Sequence, residues 1–379
     1  MRVAYLWSSG EIRSKSYASS YWALDPPATI EKGSNNGDLF VTEASLRLTA
    51  PEVVECFDPA RFSERAEKLV NSNFDVVFVR GANTLSDEAY ASSLADCLER
   101  IKIKVVIMGI GIQAPSLSKM PKNKDLQRLA GLLGDHAEAV GVRGAITAEF
   151  LKGFGVKNVQ IVGCPSILRH NNPDLRLHKP EWSELRNFGF SLTRYCSPIY
   201  QRDKNAYLAL QSRLIKELHG IGRVGILSQV EREEKAFAFR DPATLENAAQ
   251  ELRRSGWFDD TMEEIYRTRS IFFGTSGAAY DMQVRNFDVV MGTRLHANAM
   301  AVACGIPAIT FTSDLRVQEI YDFWKLPSMK VEEAGKLSAR DIYDSADFDP
   351  FNQRIGFIYD NFRSYLETNG VAHKMKPQA

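Results

Sequence analysis

Arg294 and His296 stand two residues apart in the segment DVVMGTRLHANAMAVACGIP, 288–307. A guanidinium can bond two oxygens of a carboxylate or phosphate at once. An imidazole is the side chain best placed to give up a proton near neutral pH. The run DVVMG is apolar and β-branched and reads as a buried strand. The small residues of ANAMAVACG follow at once and read as a helix that stops at Gly305, with Pro307 opening the next strand. Arg294, Leu295 and His296 therefore fall where a strand ends and a helix begins. A helix start offers unpaired N–H groups and partial positive charge. Together these features suit a small, multiply charged anion, with His296 as a candidate acid. The same residue types also serve as structural hydrogen-bonders and surface ion pairs, and the residues alone leave both readings open.

The elements that must hold this junction recur along the chain. Short runs rich in Val and Ile lie at 2–7, 52–57, 75–81, 104–111, 138–144 and 159–163. They lack strict alternation, as strands buried on both faces of a parallel sheet do. Helical spacing fills the gaps at 61–73, at 86–101 behind a Ser86 cap, at 123–136 and at 145–155. The rhythm fails over 168–188, where Asn-Asn-Pro and Lys-Pro mark a linker. A second alternating set follows, with strands at 188–194, 223–231 and in SIFFGT, FDVVMGTR and IPAITFT, and a last long helix over 351–370. The expected fold is α/β, two Rossmann-like domains facing across a cleft in a GT-B-like arrangement. The first domain spans 1–170 and the second 171–345, and the helix in 346–379 crosses back to the first. The ligand belongs in the cleft, outside the carboxyl ends of the strands.

Composition narrows the partners. Lys plus Arg and Asp plus Glu both number 47, so no general attraction to nucleic acid or anionic lipid is expected. Hydrophobic residues at 44% and charged residues at 25% fit a globular chain, with disorder expected only at the closing HKMKPQA. The five cysteines (Cys56, Cys97, Cys164, Cys196, Cys304) form no CxxC pair, and no histidine spacing suggests a metal, so buried thiols in a reducing compartment are expected. No run approaches the about 20 apolar residues of a membrane span, and the start lacks a signal-peptide pattern. A cytoplasmic protein is the expectation. Gly109 and Gly111 lack the third glycine of a dinucleotide fingerprint. Ser228 and Gln229 follow a strand end and read as substrate contacts or plain loop, and the aromatics near Trp324 as sugar platforms or core.

GTRLHANAMAVACGIPAITFTSDLRVQEI resembles the segment that marks the polysaccharide pyruvyltransferase family: a strand ending in RLHA, a small-residue helix, a GxP turn, a strand, then D-x-(K/R)-V-x-E. Here those positions are Arg294, Leu295, His296, Ala297, Gly305, Pro307, Asp314, Arg316, Val317 and Glu319. SNNGDLF resembles the family's early N-x-G-D loop, through Asn35, Gly37 and Asp38, and MGIGIQ its glycine turn, through Gly109 and Gly111. In GVRGAITAEFLKGFGVKNVQIVGCPSI, Gly144 and Ala145 replace the family's acidic-and-small pair and Gly163-Cys164-Pro165 its Asp-Pro.

The resemblance implies an enzyme that moves pyruvate from phosphoenolpyruvate onto a sugar of a polysaccharide or glycan precursor, forming a ketal and releasing phosphate, with no cofactor. It implies Arg294 and Arg143, with Arg316 in reserve, for the donor's anionic groups, and His296 as the acid that protonates the enol carbon. Asp38 is the leading base for the sugar hydroxyl. A lipid-linked acceptor would draw the enzyme to the inner membrane face. A GT-B-type glycosyltransferase with a nucleotide-sugar donor is the alternative, and self-association stays open.

Overall fold

The computed structural model describes residues 1–6, 36–85, 90–114, 116, 123–195, 203–268, 271–274 and 276–377, and the side chains of Asn36, Asp38 and Tyr90 lie outside the description. The apolar runs form parallel strands. In the first half β1 (Arg2–Leu6), β2 (Val53–Phe57), β3 (Val76–Val79) and β4 (Val105–Ile107) make a sheet of order β2-β1-β3-β4. A parallel pair, β5 (Val140–Val142) and β6 (Val159–Ile161), continues it through a bridge between Ile110 and Val142. In the second half β7 (Asn187–Ser191), β8 (Arg223–Ser228), β9 (Ile271–Phe273), β10 (Val289–Gly292), β11 (Ala308–Thr312) and β12 (Ser328–Lys330) form a sheet of order β12-β11-β10-β7-β8-β9. Every strand pairing among the described residues is parallel. All residues of β3, β10 and β11 are buried, because helices cover both faces, and this is why the runs do not alternate.

The strand order fixes where a ligand fits. In the second sheet the chain runs outward from β7 through β8 to β9, then returns to β10 and runs the other way to β12. In the first sheet the reversal lies between β1 and β3. The crevice at such a reversal, beyond the carboxyl ends of the strands, is the binding place of open α/β sheets. The junction at Arg294 follows β10, so it lies at the reversal of the second sheet.

Three features depart from the sequence reading. The stretch expected as an Asn-Gly loop opens a helix instead, Asn36–Thr49. Asn and Asp favour helix starts, where the N–H groups lack partners. This helix packs on Leu295–Ala303 and so joins the two halves. The segment read as a linker is packed rather than loose: Leu175, Leu177 and Leu185 are buried, and Asn352 exchanges hydrogen bonds of 2.8 and 2.9 Å with the backbone of Leu177. The closing tail is ordered through 377, with Met375 buried, the Lys374 N–H bonded to Leu48 and the Lys376 N–H to the Tyr359 hydroxyl.

The long helix Asp349–Thr368 lies against the first sheet. The Ile107 N–H donates to the Tyr365 hydroxyl at 3.1 Å, and that hydroxyl donates to the Ile107 carbonyl. Asn361 donates to the Ile161 carbonyl, and the Ala139 N–H donates to Asn369. No helix among the described residues is long and apolar enough to cross a membrane.

Candidate active site

A cavity of about 310 Å³ opens at the two chain reversals. The first half supplies Ala82 and Asn83, just beyond β3, and Arg143, just beyond β5. The second half supplies Thr193 beyond β7, Gln229 beyond β8, and Thr293, Arg294, Leu295 and His296 beyond β10. Ser313, Asp314, Arg316 and Val317 close it beyond β11, and Tyr195 and Tyr207 complete the wall. Trp324 is fully buried and packs in the core.

Each arginine is held differently. The Arg294 Nε donates to the Leu192 carbonyl at 3.0 Å, and its Nη2 to the carboxylate of Glu231. Glu231 is fully buried. Burial by itself would raise its carboxyl, but the Arg294 guanidinium outweighs burial and holds it below the usual carboxylate range. Arg143 is buried, and its described partners carry no net charge: the carbonyls of Gly109 and Gly81, at 3.2 and 3.0 Å, and Asn83 Oδ1 at 2.7 Å. Its positive charge therefore meets no carboxylate hydrogen bond among the described residues. Arg316 donates to Asp314 at 3.2 Å, while Asp314 Oδ1 caps the helix Leu315–Trp324 by accepting from the Val317 N–H.

His296 sits among these cations. It is half-buried, and its Nε2 is sealed from solvent without a hydrogen-bond partner among the described residues. Burial, followed by the guanidiniums of Arg143, Arg316, Arg80 and Arg294, pushes its pKa well below the usual 6.5. The shift favours the neutral ring, so a proton on His296 calls for negative charge beside it. The helix it belongs to, Leu295–Ala303, has Arg294 as its N-cap residue and no side-chain cap. The first N–H groups of that helix are thus left for a ligand. Burial is the largest cause of the His296 shift and the guanidiniums follow, while the uncapped helix adds its partial positive charge at the same junction.

Other expected contacts lie behind the wall rather than in it. Gly109 has φ +81° and turns the chain after β4, and its carbonyl orients Arg143. A Cβ at Gly111 would stand 2.8 Å from Arg143 Cδ, so this position lets the arginine pass. Ser228 is buried, with its hydroxyl toward Glu231 at 3.4 Å. Gly109 and Gly111 thus adjoin Arg143, and Ser228 adjoins Glu231, the partner of Arg294. Gln229 does line the cavity, and its Nε2 is buried without a hydrogen-bond partner among the described residues. Asn35 lies outside the described residues. Gly37 is buried and Asp38 stands in the first turn of Asn36–Thr49, with its side chain outside the description.

Sequence reasoning missed Asn83, Thr193, Tyr195, Tyr207 and Glu231. Asn83 and Thr193 follow strands that flank a reversal, a signal that needs the strand order to be read. It also missed a set of possible metal ligands: His170, Asp281 and Cys304 bring one ligand atom each within 4.8 Å of one another. The Cys304 thiol donates to Asp281 Oδ1 at 3.3 Å and His170 Nε2 faces Oδ2 at 3.4 Å, so the three already satisfy one another.

The polysaccharide pyruvyl transferase family model matches residues 12–314. The chain belongs to the polysaccharide pyruvyl transferase family. The match ends at Asp314, so Arg316 and Glu319 stand just beyond it. No curated protein matches this chain in sequence. Among solved structures, Anabaena HepE in complex with UDP and glucose is 12% identical, with a TM-score of 0.51 over 98% of this chain and 99% of that one. Trehalose-6-phosphate synthase OtsA is 11% identical, with a TM-score of 0.50 over 98% and 97%. These likenesses show the fold alone: two Rossmann-like halves across a cleft, the GT-B arrangement.

Proposed function

We propose that this transferase takes its pyruvyl group from phosphoenolpyruvate and places it on a sugar bearing two nearby hydroxyls, forming a cyclic ketal and releasing phosphate. One observation carries the reading: the guanidiniums of Arg143, Arg294 and Arg316 and the imidazole of His296 line one cavity of about 310 Å³, near the small end of ligand clefts. The donor is small and carries a carboxylate and a phosphate. Arg143 and Arg294 bind these groups, with Arg316 beside them and the N–H groups of Leu295–Ala303 beneath. The donor's negative charge reverses the field at His296 and raises its pKa, so the proton arrives with the substrate.

His296 then protonates the methylene carbon of the enol. The double bond is consumed and positive charge develops at the carbon bearing the carboxylate and phosphate. A sugar hydroxyl attacks that carbon and its proton passes to a base, for which Asp38 is the candidate. The carbon–phosphate oxygen bond breaks, phosphate leaves, and the second hydroxyl closes the ketal with loss of its proton. Excess cationic charge stabilises the departing phosphate.

Ligand-dependent melting tests the donor class. Phosphoenolpyruvate should raise the melting temperature, and UDP- or GDP-sugars should not. The reverse pattern would exchange this reading for nucleotide-sugar glycosyl transfer.

A further inference from the structure

The cavity draws its cations from both halves, so its width depends on how the halves are held together. Glu319 makes that connection. It lies on Leu315–Trp324 in the second half and is almost fully buried. Its Oε2 accepts from the Thr147 N–H at 2.9 Å and its Oε1 from the Thr147 hydroxyl at 2.6 Å, both in the first half. The Thr147 hydroxyl in turn accepts from the Ile112 N–H at 3.0 Å.

Thr147 is the third residue of the helix Ala145–Gly153, whose N-cap residue Gly144 provides no side-chain cap. Helix starts are ordinarily closed by the N-cap side chain. Here a carboxylate from the other half does so. A Cβ at Gly144 would stand 2.7 Å from Glu319 Cβ, so glycine at this position, where the family's pattern carries an acidic residue, is what lets the two helices meet. The contact adjoins the site on both sides. Arg143 is one residue before that N-cap, and Arg316 is one helical turn before Glu319. A Cβ at Gly111 would meet Arg143 Cδ at 2.8 Å and Glu319 Oε1 at 3.4 Å, so the three residues converge.

We infer that Glu319 is a positioning residue that clamps the Arg143 wall to the Arg316–His296 wall and sets the gap the donor enters. The inference rests on the reading of this cavity as the donor site. Burial pushes the Glu319 carboxyl up to about 7, against the Thr147 bonds and the Arg143 charge, as expected for a carboxylate kept in the interior by those partners.

Two measurements on the full chain test it: hydrogen exchange at the Thr147 amide, and calorimetric affinity for phosphoenolpyruvate without acceptor. Glu319→Gln should speed exchange at Thr147 and weaken donor binding about tenfold, the scale of losing one charge-assisted hydrogen bond. Thr147→Val, which keeps the amide but removes the hydroxyl, should act in the same direction and serves where Glu319→Gln does not fold. Thr147→Ser should restore wild-type affinity. Faster exchange with unchanged affinity overturns the inference and leaves a structural contact only. Unchanged exchange also overturns it, since the bridge would then be absent in solution. Should the wild-type protein not bind phosphoenolpyruvate at all, the donor reading fails and takes this role with it, even where exchange reveals the bridge.

Discussion

Two clusters in this molecule use the same residue types for opposite ends. At the junction of the halves, buried Arg169 lies between Glu43, at 3.2 Å, and Asp281, which also holds His170 and Cys304. Arg47 closes the far side of Glu43. Charges there alternate in sign. In the cavity, Arg143 makes no hydrogen bond to a described carboxylate though the Glu319 charge lies near it. His296 Nε2 has no hydrogen-bond partner among the described residues, and Arg143, Arg294 and Arg316 line one volume. An arginine beside a histidine thus says little about function. Several guanidiniums lining one cavity beside a histidine say much more.

The sharpest way to break this comparison is His296→Ala. Loss of a general acid should lower phosphate release from phosphoenolpyruvate, with a suitable sugar, by roughly 10²- to 10⁴-fold while the circular dichroism spectrum stays native. Unchanged turnover would reduce His296 to a bystander. In the junction cluster the matching change should act on stability instead. Arg169→Ala removes the buried cation that Glu43 and Asp281 share, leaving Glu43 only Arg47 and Asp281 only His170 and Cys304. It should cost about 3–5 kcal/mol in urea unfolding, with phosphoenolpyruvate affinity intact in the remaining folded protein. A stable variant with weakened donor binding would move this cluster into the site.

A smaller signal sharpens the contrast. The folded His296 has a pKa well below 6.5 while the unfolded chain returns to that value, so the unfolded state binds more protons just below pH 6.5. The His296 contribution to stability should therefore fall as pH drops through that window. Glu319 opposes it, since its raised carboxyl binds its proton in the folded state there, so the effect is read as the difference between wild type and His296→Ala. Donor binding should reverse the shift and take up a fraction of a proton near neutral pH. Calorimetry in two buffers of different ionisation heat reads this directly, and in His296→Ala the uptake should vanish.

The fold was legible because the strands are buried on both faces, which leaves unbroken apolar runs that few other contexts produce. Arg294, His296, Arg143, Arg316 and Gln229 were legible because each follows a strand or opens a helix, and such places can be found one segment at a time. Glu231 and Asn83 were not, since their roles depend on which strands are neighbours. The bridge from Glu319 to Thr147 spans 172 residues and the Arg169–Asp281 pair 112, and no local pattern encodes either. The helix Asn36–Thr49 hid behind turn-like residues at its start, where Asn, Gly and Asp suit a cap as well as a loop.

The hydroxyl of Tyr365 has a consequence for how the molecule is made. It bonds both backbone groups of Ile107, 258 residues earlier, so the first sheet gains a covering element only when the final helix exists. On a ribosome the half that emerges first is the half completed last. Until then its edge at β4 and β5 waits exposed, and a chain halted before the final helix should be a client for chaperones rather than a smaller working enzyme.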